Sequence, residues 1–192
     1  MTNKNINPLV WGPSIWSVLH TISFYCKTPE QAQPFIALCQ LLTKLLPCES
    51  CREHFTKLIY TNRFNYQNQE SCFKYTYQLH SEVNNRLGKI SPSYDYIYKL
   101  YSNYSCSEDD YWIMLSSIAF VFTNDNIYYP QLIQSCIKLF PNRIIANCLN
   151  KSSSIYKNYN NNFSFISDAK FSCVGLYLRE EHVFFKSHCE GC

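Results

Sequence analysis

Apolar and polar positions follow the period of an α-helix along most of this chain. Trp16, Leu19, His20 and Ser23 fall on one face, with Pro13 where a first turn accepts it, and predict a helix over 13–26. Thr28-Pro29-Glu30-Gln31 is a start signal, with a cap residue, proline at the first helical position and glutamine at the third. Phe35, Leu38, Leu42 and Leu45 form the buried stripe of that second helix. Pro47 stops it, and a third begins at Cys48 and runs through Phe55 and Leu58 to about Tyr60. The stretch 61–70, rich in Asn and Gln, reads as a loop. A fourth helix over 71–87 carries Tyr77, His80, Asn84 and Leu87 on one face and ends at Gly88. Ser91-Pro92 caps a short fifth, to about Asn103.

Helical spacing resumes over 111–122, 129–140 and 143–149, and after a polar stretch at 150–162 a last helix is expected over 168–186. Ser105 to Asp110 breaks the apolar pattern with acidic and small polar residues, so the expected junction lies there. The predicted class is all-α: a four-helix bundle plus a short fifth helix over 1–104, followed by a second, mainly helical domain over 105–192.

Composition supports helices over sheet, because aromatic residues make up 17% of the chain and glycine occurs only 4 times. A net charge of +3, scattered rather than striped, argues against nucleic acid as a partner. The most apolar run, Trp112 to Phe122, is too short for a membrane span. Met1 to Pro8 is polar, which leads to the expectation of a soluble protein made in the cytoplasm, without membrane partners. Eleven cysteines are many for that setting, where disulfides are usually catalytic. Cys26, Cys39, Cys136 and Cys148 lie in apolar helical runs and read as small buried hydrophobes.

Cys48 and Cys51 stand three apart at a helix start, which puts both sulfurs on one face within disulfide reach. The helix N-terminus, Arg52 and His54 are expected to stabilise a thiolate there. Alone, the motif fits a redox pair, half of a zinc site, or an incidental spacing. A zinc site usually brings a second close pair nearby, whereas the next here is Cys189 and Cys192. A thioredoxin-like fold needs strands around the motif, and the flanks read as helix. His20 and His80 sit on apolar faces beside aromatic residues, where each alone would be an ordinary core histidine. Together with Trp16 and the tyrosines they also offer flat surfaces suited to a large ring system.

Three segments carry a resemblance. Trp11-Gly12-Pro13-x-x-Trp16-x-x-Leu19-His20, Leu46-Pro47-Cys48-x-x-Cys51-Arg52 and His80-x-x-Val83-Asn84-x-x-Leu87-Gly88-Lys89 together resemble the Erv/ALR family of FAD-dependent sulfhydryl oxidases. The resemblance covers about the first hundred residues. It implies a helical bundle holding FAD, disulfide formation in thiol-containing substrate proteins, transfer of electrons to molecular oxygen to give hydrogen peroxide, and a homodimer. By the same resemblance Cys48 and Cys51 are the catalytic pair, Cys48 exchanging with incoming thiols and Cys51 lying nearest the flavin. Trp11, Gly12, Trp16, His20, Tyr25, His80, Val83, Asn84, Leu87, Lys89 and Tyr101 join Cys51 around the cofactor. Many members have asparagine at Ser81 and a structural disulfide at Tyr77 and Tyr94; this chain has replaced both of those cysteines by tyrosine. In these features it looks most like the versions encoded by large cytoplasmic DNA viruses, which places the enzyme in host cytoplasm and in the making of virion proteins.

Cys189 and Cys192 have the spacing of a shuttle pair on a mobile tail, with a metal-binding or structural pair as the alternatives. The competing reading of the whole chain is a zinc-stabilised helical interaction module in which Cys48, Cys51, His54 and one distant cysteine bind metal.

Overall fold

A computed structural model describes residues 6–122, 127–153, 162 and 164–170. The described residues form helices α1 (Pro8–Tyr25), α2 (Pro29–Leu45), α3 (Glu49–Thr61), α4 (Ser71–Arg86), α5 (Tyr94–Asn103), α6 (Glu108–Val121), α7 (Tyr129–Leu139) and α8 (Arg143–Ser153), with no strand among them. Residues 164–170 are helical too. The rest of the helix expected over 168–186, together with Cys189 and Cys192, lies outside the described residues.

Caps explain most of the boundaries. α2 starts as predicted, with Thr28 and Gln31 forming a reciprocal capping box. α1 starts five residues earlier than its spacing suggests. Asn7 caps it, its side chain accepting from the Leu9 N–H at 3.0 Å, and Pro8 takes the first position, so Pro13 lies inside the helix. The proline removes a bond to the Leu9 carbonyl, a small loss beside a residue that is 73% exposed. At the other end of the bundle α4 stops at Gly88, whose φ of 66° is strained for any residue with a Cβ. The cap of α5 is Ser93, not Ser91: the Tyr96 N–H donates to its Oγ. Ser91 instead accepts from Asn84 Nδ2 at 3.2 Å.

The acidic stretch read as a junction has a local task. Ser107 and Asp110 form a second capping box that starts α6. From there α6 lies along α1 and α7 along α2. Val18, Ile22, Phe35, Leu38 and Leu42 belong to the same apolar cluster as Met114, Ile118, Ile133 and Ile145. Full burial of each such side chain contributes about 1.5–3 kcal/mol, so the helices after residue 105 share in stabilising those before it. A buried bond from the Cys106 N–H to Thr21 Oγ1, 2.9 Å, ties the two halves at their meeting point. Cys26, Cys39, Cys136 and Cys148 are buried, as their apolar surroundings predict, and so are Cys72 and Cys106.

Tyr77 and Tyr94 meet edge to face, with ring centroids 5.4 Å apart. The Tyr77 hydroxyl donates to the Pro92 carbonyl and the Tyr94 hydroxyl to Glu70. An aromatic contact with two hydrogen bonds thus holds α5 to α4 without a covalent link. Tyr94→Ala is expected to lower unfolding stability by about 1–2 kcal/mol, through the lost ring pair and the lost hydrogen bond, as measured in a urea titration.

Candidate active site

The site grows from the turn between α2 and α3. Cys48 is the N-cap of α3 rather than its first residue: its backbone is extended, and its Sγ accepts the Cys51 N–H at 3.3 Å. The cap geometry brings the Cα atoms of Cys48 and Cys51 to 5.1 Å, and the two sulfurs form a disulfide. Cys48 opens onto a surface cleft of about 440 Å³, walled by Ile6, Asn7 and Pro8 before and at the start of α1 and by Glu49, Ser50 and Glu53 of α3. Cys51 is absent from that lining. It lies one turn before Phe55, on the same helix face, and Phe55 meets the edge of Trp16 at 6.3 Å.

Arg52 and His54 do not serve as charged neighbours of the sulfurs in the way their positions suggest. The Arg52 guanidinium donates to the Leu46 carbonyl at 2.6 Å and lies 5.4 Å over the Phe122 ring, so it fixes the turn and links it to the end of α6. His54 is held below the usual imidazole range by burial, then by Arg86 and Lys57, which favours its neutral form.

A wall of rings comes from α1, α4 and α5, and Phe55 of α3 joins it at Trp16. Trp16 and His80 stack at 4.2 Å with 3° between their planes, and His20 stacks on Tyr101 at 5.0 Å. His20 Nε2 and His80 Nδ1 are 3.1 Å apart, a hydrogen bond in which one ring donates and the other accepts. Burial and, after it, His80 push His20 down to about 3; burial and then Lys89 push His80 down to about 4. Both rings are therefore neutral at physiological pH. Two buried polar atoms, His20 Nδ1 and Ser81 Oγ, have no hydrogen-bond partner among the described residues.

Of the residues expected around a cofactor, Trp16, His20, His80 and Tyr101 come together in this wall. Val83 packs on the adjoining core, and Asn84 is bound to Ser91 while its carbonyl accepts from the Lys89 N–H at 2.9 Å. Leu87 and Tyr25 are more than half exposed. Trp11 makes no ring contact with the wall. Its indole is buried and donates to the Ile6 carbonyl at 3.0 Å, one wall of the cleft. Gly12 stands beside it, and a Cβ there would meet nothing within 4 Å.

Sequence reasoning missed Phe55 and Phe73 as members of the wall. Phe73 touches His20, Phe24, Tyr98 and Tyr101. It lies two turns before His80, and that spacing was the available signal.

The zinc reading of the motif loses its ligands. Both sulfurs are spent on each other, and among the described residues no group of three or more Cys, His, Asp or Glu side chains stands together in a way that could hold a metal.

A disulfide at a helix start, with Cys48 open to a cleft and the same helix joined through Phe55 to a cluster of stacked rings, defines a helical thiol–disulfide redox protein. Comparison with known proteins agrees. Residues 13–102 match the Erv1 / Alr family. A FAD-linked sulfhydryl oxidase of African swine fever virus is 33% identical over 84 residues, which span 42% of this chain and 71% of that protein. The FAD-linked sulfhydryl oxidase ERV1 of Arabidopsis thaliana is 29% identical over 41% of this chain and 43% of its own length. A putative FAD-linked sulfhydryl oxidase of frog virus 3 is 28% identical over 46% and 64%. No solved structure gives a significant match. The chain belongs to the Erv1 / Alr family.

Proposed function

We propose that this protein is an FAD-linked thiol oxidase that takes electrons from thiols through Cys48 and Cys51. The observation that carries the reading is the two-sided disulfide: Cys48 lines the cleft, and the Cys51 face of α3 leads through Phe55 to the ring wall. An incoming thiolate reaches Cys48 first, and the bond to Cys51 breaks with its electron pair left on Cys51. Amides at the start of α3 stabilise the charge that develops there.

The residues fit a flavin. Trp16, His20, His80 and Tyr101 supply flat faces, and the unpaired His20 Nδ1 and Ser81 Oγ are the hydrogen-bonding groups a polar heterocycle would satisfy. Asn84 and Lys89 close the end of α4 where a pyrophosphate or ribose would need donors. When bound, FAD supplies a two-electron acceptor that oxygen reoxidises, giving hydrogen peroxide. The names of the viral and plant relatives support this cofactor and reaction.

Residues 6–104 are the cofactor-binding part in this reading, and the helices from 108 onward a supporting layer. α5 buries no residue completely and exposes Tyr96 and Leu100, with Tyr104 exposed at its C-cap, which favours a homodimer interface along it. Cys189 and Cys192 act as the relay to Cys48. Relatives encoded by viruses support a setting in an infected host cell, and we place the protein in host cytoplasm. Among the described residues no helix is long and apolar enough to cross a membrane.

Purified protein is expected to be yellow. Under anaerobic dithiothreitol its visible absorption should bleach, and on admission of oxygen it should return with one peroxide formed per disulfide. Colourless protein that consumes no oxygen, even after incubation with FAD, overturns the proposal.

A further inference from the structure

The turn that presents the disulfide has all of its carbonyls engaged. Leu46 accepts from the Arg52 guanidinium at 2.6 Å, Pro47 from the Ile6 N–H at 3.0 Å and Cys48 from the Arg52 N–H at 3.0 Å. The last two bonds are backbone to backbone and follow once the neighbouring segments are in place. The Leu46 bond differs, because its donor is a long side chain with many rotamers. Leu46 is the C-cap of α2, where helix carbonyls run out of partners within the helix, and Arg52 supplies the missing donor.

A single hydrogen bond returns little more than the rotamer freedom an arginine loses in making it. A second contact holds the guanidinium: it lies 5.4 Å over the Phe122 ring, whose face attracts a cation. Phe122 is fixed in turn. It is the C-cap of α6, its N–H donates to the Ile118 carbonyl at 3.0 Å, and its own carbonyl accepts from the side chain of buried Asn162. α6 is packed along α1, the helix that carries Trp16 and His20. Phe122 lies beyond residues 13–102, the part that matches the family, so this support comes from the chain's own later helices.

Resting on the thiol-oxidase reading, we infer that Phe122 is a positioning residue for the reaction: by keeping Arg52 on the Leu46 carbonyl it holds the Cys48–Cys51 disulfide in line for attack. Cys48 caps α3, and its Sγ accepts the Cys51 N–H only while the turn before it keeps this shape. Displacement at sulfur needs the incoming thiolate in line with the bond that breaks, about 3–3.5 Å away, and a misplacement of about 1 Å can cost up to about a hundredfold. With dithiothreitol, one thiolate bonds to Cys48 Sγ as the Cys48–Cys51 bond breaks, and the electron pair goes to Cys51. The second thiol loses its proton and attacks the reagent's own sulfur on Cys48. Cys48 leaves as a thiolate, the reagent closes to its cyclic disulfide, and the protein pair has gained two electrons while the reagent has given up two protons. Phe122 acts on both displacements through Arg52 and the turn.

The test uses the full chain without oxygen and follows how fast excess dithiothreitol opens Cys48–Cys51, counted by maleimide labelling of the peptide that carries them, a readout that needs no flavin. F122L keeps an apolar side chain and removes the ring. It is expected to slow opening about fivefold, and R52M about tenfold, both within what misplacement can cost. F122Y returns a ring face to the guanidinium and should stay within about twofold of wild type. Adding F122L to R52M should cost nothing further, because the ring acts only through the arginine. Once bleached, the flavin should be reoxidised by oxygen at the wild-type rate in every variant, which a general loosening of the fold would not allow. Four results overturn the inference: F122L within about twofold of wild type, F122Y as slow as F122L, F122L slowing R52M as much as it slows wild type, or reoxidation that falls in step with opening. If F122L does not fold, F122M takes its place under the same limits, and R52M within about twofold of wild type overturns the inference in either case. Unchanged opening in yellow protein that turns over dithiothreitol defeats this inference alone; colourless protein whose opening follows the stated order defeats the oxidase reading alone.

Discussion

Replacing Cys51 by serine stops oxygen uptake with dithiothreitol, a fall of about a thousandfold or more, because the electron pair has no second sulfur to rest on. The same variant keeps Cys48 in the cleft as a free thiol. Offered a small symmetrical disulfide, C51S is expected to form a mixed disulfide at Cys48 that persists, since the resolving sulfur is gone. The mass of the intact protein then rises by one half of the reagent. C48S is equally dead as an oxidase but should take up the reagent about tenfold more slowly or worse, because Cys51 does not line the cleft and sits on the Phe55 face of α3. The contrast in labelling, beyond the shared loss of activity, tests which sulfur faces outward. Equal labelling of the two variants means that the sidedness is wrong.

Acid is expected to start destabilising this protein well above the pH at which its carboxylates titrate. His20 and His80 are pushed down to about 3 and about 4 in the fold, against an ordinary value of 6.5. Between those limits the unfolded chain binds protons that the folded chain refuses, so stability is full above pH 6.5 and falls as pH drops toward 4 and then 3. Each ring costs about 1.4 kcal/mol per pH unit over its own window, and at pH 4.5 the two together remove about 5 kcal/mol. That is a large part of an ordinary domain's stability. The geometry gives the same sign: with both rings protonated, N–H would face N–H across the 3.1 Å contact between Nε2 and Nδ1. Melting temperature measured from pH 7.5 to 4.5 should drop steeply below 6.5, and His80→Asn should flatten the profile by removing one of the two titrations. A wild-type curve that stays level to pH 4.5 contradicts the buried neutral pair.

Features that depend on neighbours in sequence were legible before any coordinates. The Thr28 capping box, the stripe of Phe35, Leu38, Leu42 and Leu45, the stop at Gly88 and the three-residue spacing of Cys48 and Cys51 are all read within one or two helical turns, and the structure reproduces each. Where two local signals competed, the reading went to the wrong one. Pro8 and Pro13 both suit a first turn, and Asn7 decides between them; Ser91 and Ser93 both suit a cap, and only Ser93 stands directly before the first turn. Tasks assigned through space were out of reach. Arg52 follows the redox motif and so invites an electrostatic role, but its choice of the Leu46 carbonyl depends on where α6 delivers Phe122. The rings of Phe55 and Phe73 join the wall for the same reason, since α1 must first be laid against α4.

Tyr77 against Tyr94 has a consequence for where such a catalyst can live. Glutathione can open a sulfur–sulfur staple between helices, but it has no chemistry with two phenol rings packed edge to face. The scaffold around that junction is therefore deaf to ambient reductant, and Cys48 with Cys51 is left as the pair among the described residues that answers to it.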